Sequence, residues 1–447
     1  MLRILGSPKR LCDRLTRRDF LWAGGLGLAG LGLGDAVQAA RSGSAGRRFG
    51  QAKACILLYL YGAASQLEWC DLKPDAPVEI RGELKPIASR LPGAEVCELL
   101  PATAQVMDKV TVVRSLTHPY PLHGVAYATT GIPQIDVPLE LNPRDSRHWP
   151  FIGSVVDFLG RQSSRKKPAD AAPDNIALPF PFSSQRSGEV PRSGPYAAFL
   201  GSAYNPVWTS FRGKATRSVV KTLQQQRQEV WDPYLGITPD STFELAASAA
   251  LPADVTLDRL DERRSLVQQL EQARRHLDRT PAGQSCDRFR ALAHTLLRSE
   301  KLGAALDLNR EPHRLRDSYG LTLFGQGALA ARRLVEAGSR FVTVFWDEYG
   351  LAGSGWDTHW AHYPRLKDEL LPGLDRAFAG LVADLDQRGM LDDTLVLCIT
   401  EHGRTPKINN AAGGGRDHWS QAYSGMFAGG GIARGRVVGR TDKQAGS

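Results

Sequence analysis

Five side chains in the C-terminal part of the chain could together hold a metal ion. They are Asp357, His359, Glu401, His402 and His418. They lie in three short segments, which are 355–359 (GWDTH), 401–406 (EHGRTP) and 415–419 (GRDHW). Carboxylates and imidazoles are protein ligands of hard and borderline divalent cations, so Zn, Ca, Mg and Mn all suit this set. One such pair alone is more often a surface feature, but three neighbouring clusters predict a metal site.

Predicted helices and strands must position these clusters. Apolar residues recur at helical spacing over 370–385, and Gly389 is a suitable stop for that helix. Two apolar, β-rich runs, 341–346 and 394–400, predict buried strands ahead of the first and second clusters. Because open α/β sheets bind ligands at the carboxyl ends of their parallel strands, we expect the clusters to meet at one edge of a sheet.

Two more strands are predicted near the start of the chain, at 54–61 and 110–114. The second strand leads into a loop marked by proline and glycine, which carries His118 and His123. Each histidine has two open interpretations, a hydrogen bond within the loop or a role in the chemistry. Two carboxylates follow the first strand at some distance, so their roles also stay open; they are Glu68 and Asp71.

The middle of the chain differs in composition from its ends. Residues 161–195 are rich in Pro, Ser and Arg and predict an excursion from the core. Residues 205–315 predict mostly helix, including a charged amphipathic helix at 257–277. The pattern as a whole predicts an α/β fold over residues 52–447: a doubly wound, mostly parallel sheet sandwiched by helices, with an insertion and helical region over about 161–325.

The first 40 residues predict a signal peptide of the twin-arginine export pathway. Segment 16–21 (TRRDFL) carries the two arginines, an apolar run follows at 21–33, and small residues at 36–40 suit cleavage. The apolar run is too short to span a bilayer, so no stable membrane span is expected after signal removal. We therefore expect a polar linker at 41–51 and a periplasmic or extracellular protein.

Charge and cysteine content narrow the class of partner. The formal net charge of +9 falls to +6 without the six basic and three acidic residues of 1–40. Long Lys/Arg runs are absent from the sequence, so nucleic-acid binding is not expected, and the mildly basic balance suits anionic substrates or polymers. Five cysteines remain after the signal without a CxxC pair, so at most one or two disulfides are expected in an exported protein, and no particular pair is predicted. The sequence does not indicate the oligomeric state.

Four blocks of the chain resemble the bacterial domain-of-unknown-function 1501 family, which belongs to the alkaline phosphatase/sulfatase-like superfamily. The blocks lie at 61–86, 198–206, 331–359 and 401–419. The resemblance covers essentially the whole mature chain as far as Thr441 and Asp442. Family members usually continue for a further strand and helix, so we expect the C-terminus of this chain to be truncated or divergent.

The resemblance implies an alkaline phosphatase-like sandwich with one or two divalent metals at the carboxyl ends of the strands. In that superfamily the metals activate a nucleophile and hold the oxyanions of a phosphate or sulfate ester. Segment 400–403 resembles the superfamily's Asp-His-Gly metal motif, with Glu401 in place of the aspartate. Asp357 and His359 resemble its other Asp/His pair, and His418 resembles its late histidine.

The superfamily's hydroxyl or thiol nucleophile has no counterpart in this chain. Its Thr-Gly landmark is present at 130–131, but Pro and Tyr fill the preceding region at 119–121, and the nearest hydroxyl, Thr117, is displaced. The resemblance then implies an exported metal-dependent hydrolase of sulfate or phosphate esters, with metal-activated water or a hydroxyl as the nucleophile. In this hypothesis His123 is the general base and Arg404 stabilises the oxyanion.

The missing nucleophile keeps two other hypotheses open. One is a non-catalytic envelope protein of the same fold that binds a sulfated or phosphorylated glycan in the same pocket. The other is a protein whose metal serves stability alone. These hypotheses differ in whether an anionic ester is turned over, bound or ignored, and the sequence does not identify the substrate.

Overall fold

The apolar runs of the sequence form the strands of a large mixed β-sheet with helices on both faces. The computed structural model describes residues 50–132, 134, 136–162, 168, 170–223, 225–245, 288–289, 291–293, 295–296, 299–352 and 355–447. The predicted export signal at 1–40, most of the linker at 41–51 and the helix predicted at 257–277 lie outside these residues. Among the helices that are described, none is long and apolar enough to cross a membrane.

The strands are numbered in chain order. The first ten are β1 (Ala54–Leu60), β2 (Pro86–Ala88), β3 (Glu95–Cys97), β4 (Val110–Leu116), β5 (Asn175–Leu178), β6 (Arg186–Ser187), β7 (Val207–Arg212), β8 (Ser218–Leu223), β9 (Gln226–Trp231) and β10 (Thr242–Leu245). The others are β11 (Phe341–Trp346), β12 (Gly350–Leu351), β13 (Thr394–Ile399), β14 (Gly403–Arg404), β15 (His418–Trp419), β16 (Tyr423–Gly429) and β17 (Arg436–Val438).

Nine of these strands build the central sheet, in the order β10-β7-β5-β11-β1-β13-β16-β4-β17. Strand β1 pairs in parallel with β11 on one side and β13 on the other, and β5 is parallel to both β11 and β7. Strand β16 is antiparallel to β13 and β4, and β10 is antiparallel to β7. Strand β17 is parallel to β4, so five of the eight neighbouring pairs are parallel and three are antiparallel. The sheet is therefore mixed; it is mostly parallel, as predicted, except on both sides of β16 and at the β10 edge. The chain between β13 and β16 contains no crossover helix, so it returns antiparallel.

The described helices pack on the two faces of the sheet. They are α1 (Val78–Arg81), α2 (Pro101–Ala104), α3 (Val125–Ala128), α4 (Ile152–Gln162), α5 (Glu300–Leu306), α6 (His313–Tyr319), α7 (Leu323–Glu336), α8 (His362–Arg365) and α9 (Leu371–Gln387). A π-helical turn, Leu366–Leu370, joins α8 to α9. Thr322 caps α7 by accepting a hydrogen bond from the backbone N–H of Gly325, which satisfies one of the unpaired donors of the first turn.

The core lies on both faces of β1. Side chains alternate across a strand, so Ile56 and Leu58 face the apolar sides of α7 and α9, whereas Leu57 and Tyr59 face the layer that contains Phe345. All four β1 side chains are essentially inaccessible to water. Burial of each such side chain stabilises the fold by roughly 1.5–3 kcal/mol. The central strands are thus held rigidly, and their ends provide fixed positions for polar groups.

Several predicted elements are confirmed. Strand β11 has the predicted bounds, and β1 and β13 end within one residue of their predicted ends. Helix α9 covers the predicted amphipathic run and ends two residues before Gly389, whose φ of +69° is the left-handed conformation expected after a helix. These elements are long and strongly periodic, so their sequence pattern identifies them without tertiary information.

The middle region differs from the prediction. Residues 207–245, predicted as mostly helical, contain the four strands β7 to β10. Two of these, β7 and β10, join the central sheet through β5, a four-residue strand that the sequence did not reveal. The runs over 207–211 and 218–223 are rich in β-branched and aromatic residues, which favour strands. Part of the predicted insertion is therefore core structure.

Tyr234 connects this middle region to the carboxyl end of β11. Its hydroxyl donates a hydrogen bond to the carbonyl of Phe345 (3.1 Å) and accepts one from the backbone N–H of Asp347 (3.0 Å). Its ring stacks on Trp346 with a centroid separation of 5.1 Å. The tyrosine is almost fully buried, so water cannot replace these two bonds.

We expect the substitution Tyr234→Phe to destabilise the protein by about 1–3 kcal/mol, because two buried backbone groups lose their hydrogen-bond partner while the ring stays in place. Chemical denaturation followed by tryptophan fluorescence measures the change. An unfolding midpoint equal to that of the wild type would show that this hydroxyl does not contribute to stability.

Candidate metal centre

The direction of the strands explains why distant segments meet at one edge of the sheet. Strands β11, β1 and β13 are parallel neighbours, so their carboxyl ends lie side by side. Strand β4 points the same way, because β4 and β13 are both antiparallel to β16. The amino end of β16 therefore reaches the same edge, directly after β15. The loop after β4, the loop after β11, the segment after β13 and strand β15 supply the candidate ligands.

Three side chains form a fully buried group, which we call the inner group: His123, Glu401 and His402. Their candidate ligand atoms lie within 4.8 Å of one another. The Nδ1 atom of His123 is 2.8 Å from Oε1 of Glu401. The backbone N–H of Gly62, just past β1, donates to the same carboxylate oxygen at 2.7 Å. The inner group is thus closed by protein on the side of the sheet.

A second group, which we call the outer group, contains Asp357, His359 and His418 and shares His123 with the inner group. Asp357 is at its centre. Its carboxylate oxygens lie 3.1 Å from Nε2 of His359, 3.6 Å from Nε2 of His418 and 3.4 Å from Nε2 of His123. The side chains of Asp357, His359 and His418 remain 19%, 29% and 26% exposed, so solvent reaches this group.

The ring nitrogens of three histidines are arranged as in metal ligands. The Nε2 atom of His402 is buried and makes no hydrogen bond within the described structure. The Nε2 atoms of His123 and His418 are also buried, and they face the carboxylate of Asp357 at 3.4 and 3.6 Å, beyond the distance of a well-formed hydrogen bond. The opposite nitrogens are held: Nδ1 of His402 donates to its neighbouring carbonyl at Gly403, and Nδ1 of His418 donates to the carbonyl of Pro121. A buried polar atom without a partner is costly. A divalent cation would satisfy it, and a hydrogen bond on the opposite nitrogen fixes the ring as metal sites require.

In the metal-free protein, two of these three histidines are neutral and one is charged. Burial lowers the pKa of His402 well below its ordinary value and also lowers the pKa of His418, so both rings are neutral and can offer a lone pair. Burial opposes protonation of His123, but Asp357 and Glu401 outweigh it and raise its pKa to about 9. The pKa of Asp357 is lowered well below its ordinary value; burial opposes this shift, and the nearby Arg404 and His123 outweigh it.

The surroundings of His123 suit a metal ligand better than the general base that was predicted. The sequence placed it apart from the five ligands, whereas the structure makes it the one residue common to both groups. Each of its ring nitrogens faces a carboxylate, and its ring is 4.2 Å from that of His418. We therefore regard His123 as a sixth candidate ligand. Its position after a predicted strand, like that of the other clusters, is the signal that could have suggested this.

Arg404 also differs in setting from its predicted contact with a substrate oxyanion. Its guanidinium is fully buried and donates to the carbonyls of Gly62, Ala63 and Arg416. It also donates to the carboxylate of Asp357. Because of these bonds the Arg404 guanidinium faces protein rather than solvent, so a contact between it and a substrate is not favoured. Arg404 instead positions Asp357.

The carboxylates near β1 lie in a structural network. Glu68 is buried against the guanidinium of Arg416, with an Nε to Oε1 distance of 2.9 Å. Burial opposes its ionisation, but Arg416 and His362 outweigh it and lower its pKa to about 2. His362 in turn bonds to Thr358 at 2.7 Å, between the two ligands of the first cluster. Glu68 therefore supports the loop of Asp357 and lies in neither candidate ligand group.

The remaining candidates lie beside the centre. Asp71 pairs with Lys73 at 2.9 Å and contacts the hydroxyl of Thr441. Nε2 of His118 donates to the backbone carbonyl of Glu401 at 2.6 Å. Of the two interpretations left open for this histidine, the structure favours a hydrogen bond that holds the loop. Asp417, which the sequence did not single out, accepts a bond from Nδ1 of His359 at 2.6 Å and orients that ring.

We expect the double substitution Glu401→Ala/His402→Ala to remove bound metal from the purified protein, because it deletes two of the three inner donors. Metal content by mass spectrometry, normalised to protein, is the measurement. His313→Ala, at an exposed histidine in α6, is the control and should keep the wild-type metal content. A folded double variant that retains stoichiometric metal would contradict this assignment.

Metal affinity should depend on pH through His123. The folded pKa of about 9 lies above the ordinary 6.5, so the charged ring stabilises the metal-free protein below pH 6.5, and this stabilisation is lost as the pH rises through 9. A metal binds only the neutral ring, and binding below pH 9 must release this proton. We expect the apparent affinity to rise by up to about tenfold per pH unit from pH 7 to 9. Competition with a chromophoric chelator measures it, and an affinity that is constant over this range would contradict the assignment.

Comparison with known proteins places the chain in a family. The family model described as "Protein of unknown function (DUF1501)" matches residues 52–447. No curated protein matches the chain. The match extends over every strand of the central sheet and over all six residues of the two candidate ligand groups. The chain therefore belongs to the DUF1501 family.

Proposed function

We propose that this protein is an exported metal-dependent hydrolase of sulfate or phosphate esters. One observation carries the proposal: within the described structure the buried Nε2 atom of His402 has no hydrogen-bond partner, and the buried Nε2 atoms of His123 and His418 meet the carboxylate of Asp357 at 3.4 and 3.6 Å, all of them close to Glu401 or Asp357. This donor set suits a divalent cation. The resemblance to the alkaline phosphatase/sulfatase-like superfamily supports an ester substrate, and the twin-arginine segment at 16–21 supports a periplasmic or extracellular location.

The difference in exposure between the two groups supports catalysis rather than a purely structural metal. The inner group is closed, whereas the outer group reaches solvent and could admit an ester. A divalent metal bound there would lower the pKa of a water molecule and polarise an ester oxygen. The protein holds its donors in place beforehand: Arg404 fixes Asp357, Asp417 fixes His359, and the Pro121 carbonyl fixes His418.

The side-chain hydroxyls near the site favour direct attack by water. Thr117 is exposed, and its hydroxyl lies 3.3 Å from the carbonyl of Ser420. Thr400 is buried, and its hydroxyl lies 2.8 Å from the carbonyl of Leu60 and 3.1 Å from Oε2 of Glu401. Neither is placed at an open face of the outer group, so neither is an apparent covalent nucleophile. We propose that water attacks the ester directly.

The same observations favour an alternative function. A non-catalytic envelope protein that binds an anionic glycan needs no nucleophile and no guanidinium to stabilise a developing oxyanion. The guanidinium of Arg404 is buried, so it does not contact a substrate oxyanion, which agrees with this alternative. This alternative predicts saturable, salt-sensitive glycan binding without turnover. Slow release of inorganic sulfate or phosphate from the bound glycan would count against it.

We expect the metal-loaded protein to hydrolyse a chromogenic sulfate or phosphate ester, and we expect Glu401→Ala to reduce the rate by roughly a thousandfold, because both the metal and its activation of water are lost. Initial rates with 4-nitrophenyl phosphate and 4-nitrophenyl sulfate, before and after chelation, are the measurement. Glu95→Ala, at an exposed position in β3, is the matched control. A Glu401→Ala protein with full activity would eliminate the hydrolase proposal.

A further inference from the structure

A large cleft with both apolar and charged lining residues begins beside the outer group, and neither the metal site nor the proposed hydrolysis accounts for it. Its volume is about 770 Å³. One wall is the hairpin of β8 and β9, and the other wall is formed by residues 360–369, which include the π-helical turn Leu366–Leu370. Single turns of π-helix occur frequently at functional sites. The cleft is in the size range of pockets that bury organic ligands.

Trp360 connects the cleft to the metal centre. It follows His359 directly, and the two rings are nearly parallel, with their centroids 6.3 Å apart and an interplanar angle of 21°. The indole is half-buried and lines the cleft. Arg365, on the same wall, donates to the backbone carbonyls of Gly355 and Asp357, so the wall of the cleft and the ligand loop are joined. A molecule that lies in the cleft at Trp360 therefore lies next to the outer group.

The charged groups of the cleft fall into two sets. Arg217, just before β8, and Arg227, in β9, are exposed, and no ion pair or hydrogen bond engages their guanidiniums among the residues that the structure describes. Lys221 is already engaged: it pairs with Asp232 at 2.6 Å and donates to the carbonyl of Tyr349. The opposite wall carries the exposed carboxylate of Asp368 and the buried side chain of Glu369, whose pKa burial raises to about 7. The cleft thus presents two available guanidiniums opposite one exposed carboxylate, with an aromatic face at one end.

This combination selects among anionic ligands. Closely spaced phosphates along a nucleic acid or a polyphosphate would meet the exposed carboxylate of Asp368 and be repelled there. A sugar chain that carries scattered sulfate or phosphate groups avoids this conflict, because its hydroxyls donate to carboxylates and its anionic groups bind guanidiniums. The apolar face of a sugar ring can also pack on the indole of Trp360, whose body is apolar. The hydroxyl of Thr222 on the hairpin adds a further hydrogen-bonding group, whereas the hydroxyl of Ser218 already donates to Glu229.

We propose that this cleft binds a segment of an anionic polysaccharide, with one sugar ring packed on Trp360 and anionic groups bound by Arg217 and Arg227. The inference rests on the proposed function in one respect only: the ester to be hydrolysed would be carried by the sugar next to Trp360, at the outer group. The substrate would then be a sulfated or phosphorylated polymer rather than a small monoester.

The test measures binding of fluorescent dextran sulfate to the purified mature chain at low ionic strength, with a chelator present so that no hydrolysis occurs. We expect Arg217→Ala/Arg227→Ala to weaken binding by roughly three- to tenfold, the sum expected of two solvent-accessible charge contacts. Arg436→Ala/Arg440→Ala removes the same charge at exposed positions in and after β17, at the far edge of the sheet, and should change binding less than twofold. Equal losses in both double variants would overturn the proposal, because they would show a diffuse response to net charge.

The aromatic and sugar components are tested separately. Trp360→Ala should weaken dextran sulfate binding by about tenfold, and Trp360→Phe should restore most of it, since an aromatic face is retained. Circular dichroism confirms that each variant is folded. Polyphosphate that binds as tightly as dextran sulfate and equally needs Arg217 and Arg227 would overturn the polysaccharide assignment, because it would show a site for polyanions in general. If Trp360→Ala bound dextran sulfate as tightly as the wild type, the proposed packing of a sugar ring on Trp360 would be wrong.

The outcomes separate this inference from the proposed hydrolase. Binding of dextran sulfate that needs the cleft residues, in a protein without ester hydrolysis or metal, would leave the cleft assignment standing and remove the hydrolase. Metal-dependent hydrolysis of small esters, in a protein whose polymer binding is unaffected by Arg217→Ala/Arg227→Ala, would leave the hydrolase standing and remove the cleft assignment.

Discussion

The fully buried guanidinium of Arg404 holds the candidate site together. It follows β13, donates to the backbone just past β1, reaches Asp357 in the loop after β11, and bonds to the carbonyl of Arg416 ahead of β15. A buried charge is costly unless it is paired and fully hydrogen-bonded, and loss of one partner of such a pair typically costs about 3–5 kcal/mol. One side chain therefore ties four chain segments to a common geometry and fixes Asp357, the residue at the centre of the outer group.

The close approach of these segments explains the role of Gly62. Its φ of +107° and the nearby backbone of Trp356 leave no room for a side chain, since a Cβ would lie 2.7 Å from the nitrogen of Trp356. The same residue donates to Glu401 and accepts from Arg404. The carboxylates of Asp357 and Glu401 are thereby brought to a single histidine, His123. Asp357 and Glu401 lie 44 residues apart in the sequence (401 − 357), and their shared contact with His123 joins the inner and outer groups into one array of candidate ligands.

The sequence predicted the parts of the fold that are strongly periodic. Strand β11 and helix α9 were identified because their apolar residues follow one period over a sufficient length. Strand β5 has only four residues, and its pairing with β11 depends on partners far along the chain. Residues 207–245 contain runs rich in β-branched and aromatic residues, a local strand signal that the prediction of mostly helix missed. Strands β8 and β9 pair with each other in a local hairpin, whereas β7 is fixed by its pairing with β5.

By itself, the sequence determined the chemistry of the donors, because Asp357, His359, Glu401, His402 and His418 carry their ligand atoms whatever the fold, and strand-end positions follow from local pattern. The family follows from sequence as well. Only the tertiary structure decided which donors share an environment. It placed His123 in both groups, used Arg404 to orient Asp357, and opened a cleft beside Trp360. The physical reason is that burial, hydrogen-bond partners and access to solvent depend on side chains from several strands at once, and no local stretch of sequence contains them.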